Sequence, residues 1–189
     1  PVQIVGTSML NTLKPDDQVF MSTVYCDLSY GDIIVIDNDC SYLLSDNKNV
    51  VKASGGSFEK CIIKRVIAEG GDVLNINFET GEVIVNGKVL KEEFLDNVIT
   101  TNDYGAFRYP ITIPEGYYFV MGDNRNNSCD SRHPNIGLIK KSQVYGKVIM
   151  RIPKIGYLQY FLATAYGWII AIVIPCLGII IYDIMKLVK

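Results

Sequence analysis

A chain of 189 residues with a formal charge of −2 has room for one domain and an appendage. With 18 Lys and Arg against 20 Asp and Glu and no basic tract, it lacks the electrostatic footprint of a nucleic-acid binder. Hydrophobic residues make up 49%, an ordinary share, but they are spread unevenly.

The chain begins at Pro1 without an initiating Met, as a processed form or a fragment with a segment missing ahead of it would. Val2-Gln3-Ile4-Val5 is a short strand candidate that stops at Gly6. Val19-Phe20-Met21 and Ile33-Ile34-Val35-Ile36 are β-branched or aromatic runs of strand type. Asp37 to Lys60 is rich in Ser, Asn and Lys and predicts a long exposed loop. Cys61 to Ile67 is a strand stopped by Gly70-Gly71, and Val73 to Phe78 alternates cleanly. Glu82-Val83-Ile84-Val85 meets Asn86-Gly87, the strongest short hairpin signal, and Lys88-Val89-Leu90 returns. Ile111 to Gly116 leads into Tyr117-Tyr118-Phe119-Val120-Met121, and Gln143 to Met150 is the last strand. Many short strands without a sustained helical period predict an all-β domain over 1–153, of folded antiparallel sheets and barrel-like.

The apolar excess lies behind that domain. No charged residue occurs from Ile155 to Tyr182, about 28 positions against the roughly 20 that cross a bilayer. Tyr157, Tyr160, Tyr166 and Trp168 gather at one end and Tyr182 at the other, as interfacial aromatic belts do. Residues 154–189 are therefore expected to form one C-terminal transmembrane helix that contacts membrane lipid.

The run from Gly122 to Arg132 is small and polar and directly follows an apolar strand, which marks a structured loop rather than a linker. Its alternation of Ser128, Asp130 and Arg132 can set a hydroxyl, a carboxylate and a guanidinium along one side of an extended chain. Such a trio can hold a fourth, cationic group. A Gly/Asn-rich surface turn is the plainer reading of the same residues.

What could carry chemistry? His133 is the only histidine, in a stretch that reads as an exposed loop, so a Ser-His-Asp triad has a poor candidate for its base. Cys26, Cys40, Cys61, Cys129 and Cys176 form no C-x-x-C pair, and one histidine cannot complete the usual metal-ligand sets, so neither metal nor cofactor is expected. A serine paired with a lysine remains. Ser8 follows a strand, with Gly6 ahead of it to let the backbone turn. Lys64 sits inside the apolar run Cys61 to Ile67, where Lys64 and Arg65 face opposite sides, so one of them points inward or into a cleft. Desolvation lowers a lysine pKa, and a neutral amine can accept a serine proton. An edge strand with both heads reaching water is the competing account.

Four segments together resemble the bacterial type I signal peptidases, the Ser-Lys leader peptidases: Gly6 to Leu13, Gly31-Asp32-Ile33-Ile34, Lys64 to Asp72, and Gly122 to Arg132. The resemblance covers Val2 to about Pro153. It implies that Ser8 is the nucleophile and Lys64 the general base, that Ser128 orients the Lys64 amine, and that Asp130 and Arg132 form a supporting ion pair. Gly122, Asp123 and Asn127 would shape the wall beside them, and Val5, Gly6 and Met9 would bind substrate by strand addition. The implied activity is membrane-bound removal of signal peptides from translocated secretory preproteins that carry small residues at the cleavage site. The catalytic domain would then lie outside the cytoplasm, at the cell membrane. A lysine base resembles the bacterial form more than that of the endoplasmic reticulum.

The chain departs from the pattern at four points. Asn11 stands where the family usually has proline, Gly6 where some relatives supply a serine hydroxyl to the oxyanion, and Cys129 where a small residue is usual. The apolar anchor is C-terminal here and commonly N-terminal in relatives. Two other readings are a Ser-Lys self-cleaving repressor and a tethered extracytoplasmic binding domain without catalysis. The long apolar stretch and the Gly122–Arg132 run speak against the first, and the presence of Ser8, Lys64 and Ser128 against the second.

Overall fold

Alternation along the strands builds the molecule. The computed structural model describes residues 1–24, 27–46, 49–53, 60–95 and 99–154, and beyond them 167, 170, 172–179 and 186. Residues Pro1–Ile152 form one compact unit and Pro153–Lys189 a second. The first unit carries, in chain order, β1 (Val2–Gln3), β2 (Gln18–Ser22), β3 (Ile33–Asp37), β4 (Ser41–Ser45), β5 (Asn49–Ala53), β6 (Cys61–Glu69), β7 (Val73–Asn77), β8 (Glu82–Val85), β9 (Lys88–Val89), β10 (Ile111–Thr112), β11 (Tyr117–Met121), β12 (Ile139–Lys140) and β13 (Val144–Ile152). The expected β-rich domain is thus present, all of its strand pairs antiparallel.

Seven strands make the main sheet, in the order β1-β2-β13-β3-β6-β11-β12, and a smaller sheet runs β10-β7-β8-β9. The Asn86-Gly87 signal closes β8 on β9 with positive φ at both residues (52° and 75°), the backbone a tight primed turn requires. The central strands β6 and β11 are buried on both faces, which is why they read as continuous apolar runs. Ile67, Phe119 and Met121 pack with Leu74, Ile76, Val83 and Ile111 of the small sheet, while Ile62, Val66, Tyr118 and Val120 cluster on the other side with their strand neighbours Ile34 and Ile139 and with Leu28 and Ile136. A third cluster of Ile4, Met9, Leu13 and Val19 sits beneath the turn that follows β1.

Register then creates an opening. Strand β3 pairs with β6 from Cys61 to Arg65, but β11 pairs with β6 only from Arg65 to Glu69. Among the described residues, the Cys61–Lys64 end of β6 therefore has one edge without a strand beside it.

The expectation of a long exposed loop over Asp37–Lys60 is corrected. Strands β4 and β5 pair there from Ser41↔Ala53 to Ser45↔Asn49, and Leu138 N–H donates to the Tyr42 carbonyl at 2.7 Å. Only the short apolar runs Tyr42-Leu43-Leu44 and Val50-Val51 signal these strands; Tyr42, Leu43 and Leu44 pack partly against the core, while β5 lies largely at the surface.

The transmembrane reading falls largely on residues outside those described. Residues 172–179 are helical. Among the described residues no helix is long and apolar enough to cross a membrane.

Candidate active site

Apolar residues set the position of Ser8. Met9 and Leu13 are buried in the third cluster, and Leu13 N–H donates to the Met9 carbonyl at 2.8 Å, so the turn is pinned from below. Met9 is thus largely buried beneath the turn, and it also lines the groove beside Val5 and Gly6. Strand β6 delivers the partner: Lys64 stands opposite Ile34 in β3, on the side of the strand shared by Ile62 and Val66. The Lys64 Nζ lies 2.7 Å from Ser8 Oγ and donates to the Ile63 carbonyl at 3.2 Å. Lys64 is only 3% exposed.

The loop after β11 locks this pair in place. Asn124 N–H donates to the Ser8 carbonyl at 2.9 Å, and the Asn124 side-chain amide donates to the Thr7 carbonyl at 3.2 Å. Gly122 lies so near that a β-carbon there would come within 2.5 Å of the Ser8 carbonyl oxygen and would also collide with Ser128. The residue type at 122 is therefore set by close approach of two backbones.

Asp130 and Arg132 form the expected ion pair at 2.8 Å, with both side chains fully buried. Asp130 also accepts the Gly122 N–H at 3.0 Å, and Arg132 donates to the carbonyls of Arg125 (2.6 Å) and Asn102 (3.1 Å). Burial pushes the Asp130 carboxyl upward, but the Arg132 hydrogen bonds and charge and the Gly122 amide outweigh it and hold it below its ordinary value. Burial pulls the Arg132 guanidinium down, and Asp130 more than offsets this.

The run is a succession of turns and bends, not the extended chain expected for Ser128, Asp130 and Arg132. Ser128 is 4% exposed and lines one cavity with Ser8 and Lys64, yet its Oγ has no hydrogen-bond partner among the described residues. The anticipated bond from Ser128 to the Lys64 amine is absent from this geometry.

Sequence reasoning missed the second cation. Lys64 and Arg65 face opposite ways, as expected, but both are buried. Arg65, 7% exposed, makes a two-pronged contact with Asp123, at 2.8 Å through Nε and 2.6 Å through its terminal nitrogen. It also donates to the Gly31 carbonyl at 2.7 Å and stacks over the Phe94 ring at 3.8 Å. Thr12 donates to the same carboxylate at 2.5 Å. Arg125, also missed, is fully buried and pairs with Glu92. Arg65 lies in an apolar strand, a visible hint, but its distant carboxylate could not be picked from spacing.

Two cavities of about 470 and 490 Å³ share Gly6, Ser8, Ile62 and Lys64. The larger runs between Val2–Met9 and Lys60–Lys64, so it lies against β1 and the uncovered edge of β6. Val5, 85% exposed, borders it. The other is walled by loops and holds Asn127, Ser128, Cys129 and His133.

A hydroxyl held against a buried amine beside a groove between strands is the equipment of a serine-lysine hydrolase. The family model described as signal peptidase, peptidase S26, matches residues 1–153. The chain belongs to this family. Signal peptidase I of Bacillus licheniformis is 35% identical over 161 residues, covering 77% of the chain and 72% of the relative. Signal peptidase I T of Bacillus subtilis is 30% identical over 158 residues, covering 77% and 69%. A solved signal peptidase I from Enterococcus faecalis superposes at a TM-score of 0.46 and 26% identity, over 67% of the chain and 100% of that structure. Membership rests on the sequence matches. They favour a signal-peptide-removing serine endopeptidase over the repressor and the silent binding domain.

Proposed function

We propose that this chain cleaves signal peptides from preproteins with Ser8 as nucleophile and Lys64 as general base. The observation that carries the reading is the 2.7 Å approach of Lys64 Nζ to Ser8 Oγ at a buried amine. Burial disfavours an ammonium ion, which favours the neutral amine a base must be. Lys64 takes the Ser8 proton as Oγ adds to the scissile carbonyl carbon. The resulting oxyanion meets backbone N–H groups of the Ser8 turn. Collapse breaks the C–N bond, and protonated Lys64 gives its proton to the departing amine. Water then adds to the acyl-enzyme with Lys64 again as base, releasing the new carboxylate and restoring Ser8.

The segment ahead of the scissile bond binds as an added strand between Val2–Gly6 and Cys61–Lys64, where main-chain hydrogen bonds supply affinity and shallow pockets admit small side chains. Asp130 and Arg132 act through the loop that clamps Ser8, with Gly122, Asp123 and Asn127 supporting the same wall. Ser128, which lines the same cavity as Ser8 and Lys64, is assigned to orient the Lys64 amine when substrate is bound. Residues 154–189 anchor the enzyme in a bilayer with the catalytic domain outside the cytoplasm, a reading supported by the uncharged span from Ile155 to Tyr182.

The test is cleavage of a preprotein in detergent by the wild type and by Ser8→Ala and Lys64→Ala variants. Each variant is expected to lose at least about a thousandfold in rate. Unimpaired cleavage by Lys64→Ala rejects Lys64 as base. Alkaline carbonate extraction of membranes checks the anchor, since an integral protein stays in the pellet.

A further inference from the structure

The two cavities meeting at Ser8 differ in kind. One lies against strand edges and suits an extended chain. The other is walled by loops and presents Tyr104, Asn127, His133 and Asn135, with no Asp or Glu among the described residues of its lining. The neighbouring carboxylate, Asp130, is fully buried and neutralised by Arg132. We propose that this second cavity receives the residues that follow the scissile bond, and that His133 reads them. The proposal rests on the signal peptidase reading above, in which the strand groove takes the residues that precede the bond.

His133 is built for a fixed contact. Its N–H donates to the Asp130 carbonyl at 2.7 Å, directly beyond the Asp130–Arg132 pair. Its Nδ1 accepts the Asn135 N–H at 3.1 Å, which sets the tautomer with the proton on Nε2. The Tyr104 ring lies against the imidazole at 5.7 Å. His133 lines that cavity alongside Asn127 and Asn135, no described lining residue is a carboxylate, and Nε2–H is the ring donor His133 can offer there. Such a lining favours side chains that accept hydrogen bonds, Asp above all, and disfavours Lys and Arg at the first two positions after the cut. His133 is a specificity residue here and takes no part in proton transfer.

Two thiols permit a direct test, because Cys61 borders the strand groove, Cys129 borders the loop-walled cavity, and both residues are exposed. A disulfide forms only when two cysteines approach within a few ångströms, so cross-linking reports position. The full chain carrying Ser8→Ala is mixed under mild oxidation with synthetic signal-peptide substrates holding one cysteine, either two residues after or three residues before the scissile bond. The first peptide is expected to join Cys129 and the second Cys61, read by mass spectrometry. Joining of the first peptide to Cys61 overturns the proposal. So does failure of both peptides to join while the wild type cleaves the cysteine-free parent. Failure of the wild type to cleave that parent removes the peptidase reading itself, and the proposal with it.

Kinetics give a second readout. His133→Ala is expected to raise KM about tenfold for a peptide with Asp in the second position, with kcat unchanged. For the matched Ala peptide KM should not move, which also shows that the variant folds. His133→Gln should restore most of the lost affinity. Equal KM changes for the Asp, Ala and Lys peptides would remove His133 from recognition.

Discussion

The loop from Gly122 to Arg132 and the segment from Asp37 to Lys60 look alike as sequence, since both are polar runs after apolar strands. In the fold they are opposites. The first is interior: Asp123, Arg125, Ser128, Asp130, Ser131 and Arg132 are all buried. Its charges are matched, Asp130 by Arg132, Asp123 by Arg65 and Arg125 by Glu92. The second carries a hairpin whose outer strand β5 lies at the surface, with Val51 left 48% accessible, while Tyr42, Leu43 and Leu44 of β4 pack partly against the core. Polarity alone therefore does not predict exposure. A charged loop can enter the interior when each charge finds a partner there, and this loop does so because it holds the nucleophile.

Mutation can break that contrast, and the largest effect is expected at its centre. Asp130→Ala leaves the Arg132 guanidinium buried without its carboxylate and should destabilise the domain by about 3–5 kcal/mol, measured by urea unfolding. A loss under about 1 kcal/mol would show that the interior ion pair is no more important than a surface one. Next comes Gly122→Ala, which forces a methyl group against Ser8 and Ser128. It should cost about 1–3 kcal/mol, with a larger fractional fall in cleavage rate than in the folded fraction. Retained full activity would mean that the loop does not position Ser8.

The third test is acid. The Asp130 carboxyl is held below its ordinary value in the folded chain, so its contribution is fully present above the unfolded value of about 3.9. It is lost as the pH falls through the lower folded value. Unfolding midpoints should drop below about pH 4 in the wild type and drop less in Asp130→Asn, where that carboxylate no longer titrates. Parallel pH profiles would exclude this linkage. The smallest change is expected in the hairpin, where Val51→Thr should shift stability by no more than about 0.5 kcal/mol and leave cleavage unaltered. A substantial loss there would erase the distinction between the two regions.

Much of the architecture was readable from residue order. Alternation located β7, and Asn86-Gly87 located the turn into β9, because such signals are local and each follows from backbone sterics. The β4–β5 hairpin escaped because its apolar runs, Tyr42-Leu43-Leu44 and Val50-Val51, are only two or three residues long and no tight-turn dipeptide joins them. Strand β12 escaped because two residues, Ile139 and Lys140, show no period. At the site, Ser8 and Lys64 could be named from the resemblance, and the structure brings them within 2.7 Å. The burial of Arg65 beside Lys64 could not be foreseen, since its partner Asp123 is 58 positions away.

Local chemistry, written in residue order, marks which segments become strands, where glycine must turn the chain, and which serine and lysine are candidates for reaction. Folding alone decides that, among the described residues, the Cys61–Lys64 end of β6 keeps an open edge, that two cavities meet at one hydroxyl, and that Ser128 lines one of them without a hydrogen-bonded partner for its Oγ. These depend on strand register and on charges paired across long loops. Both are set by the joint burial of segments far apart in the chain, which no short window of residues contains.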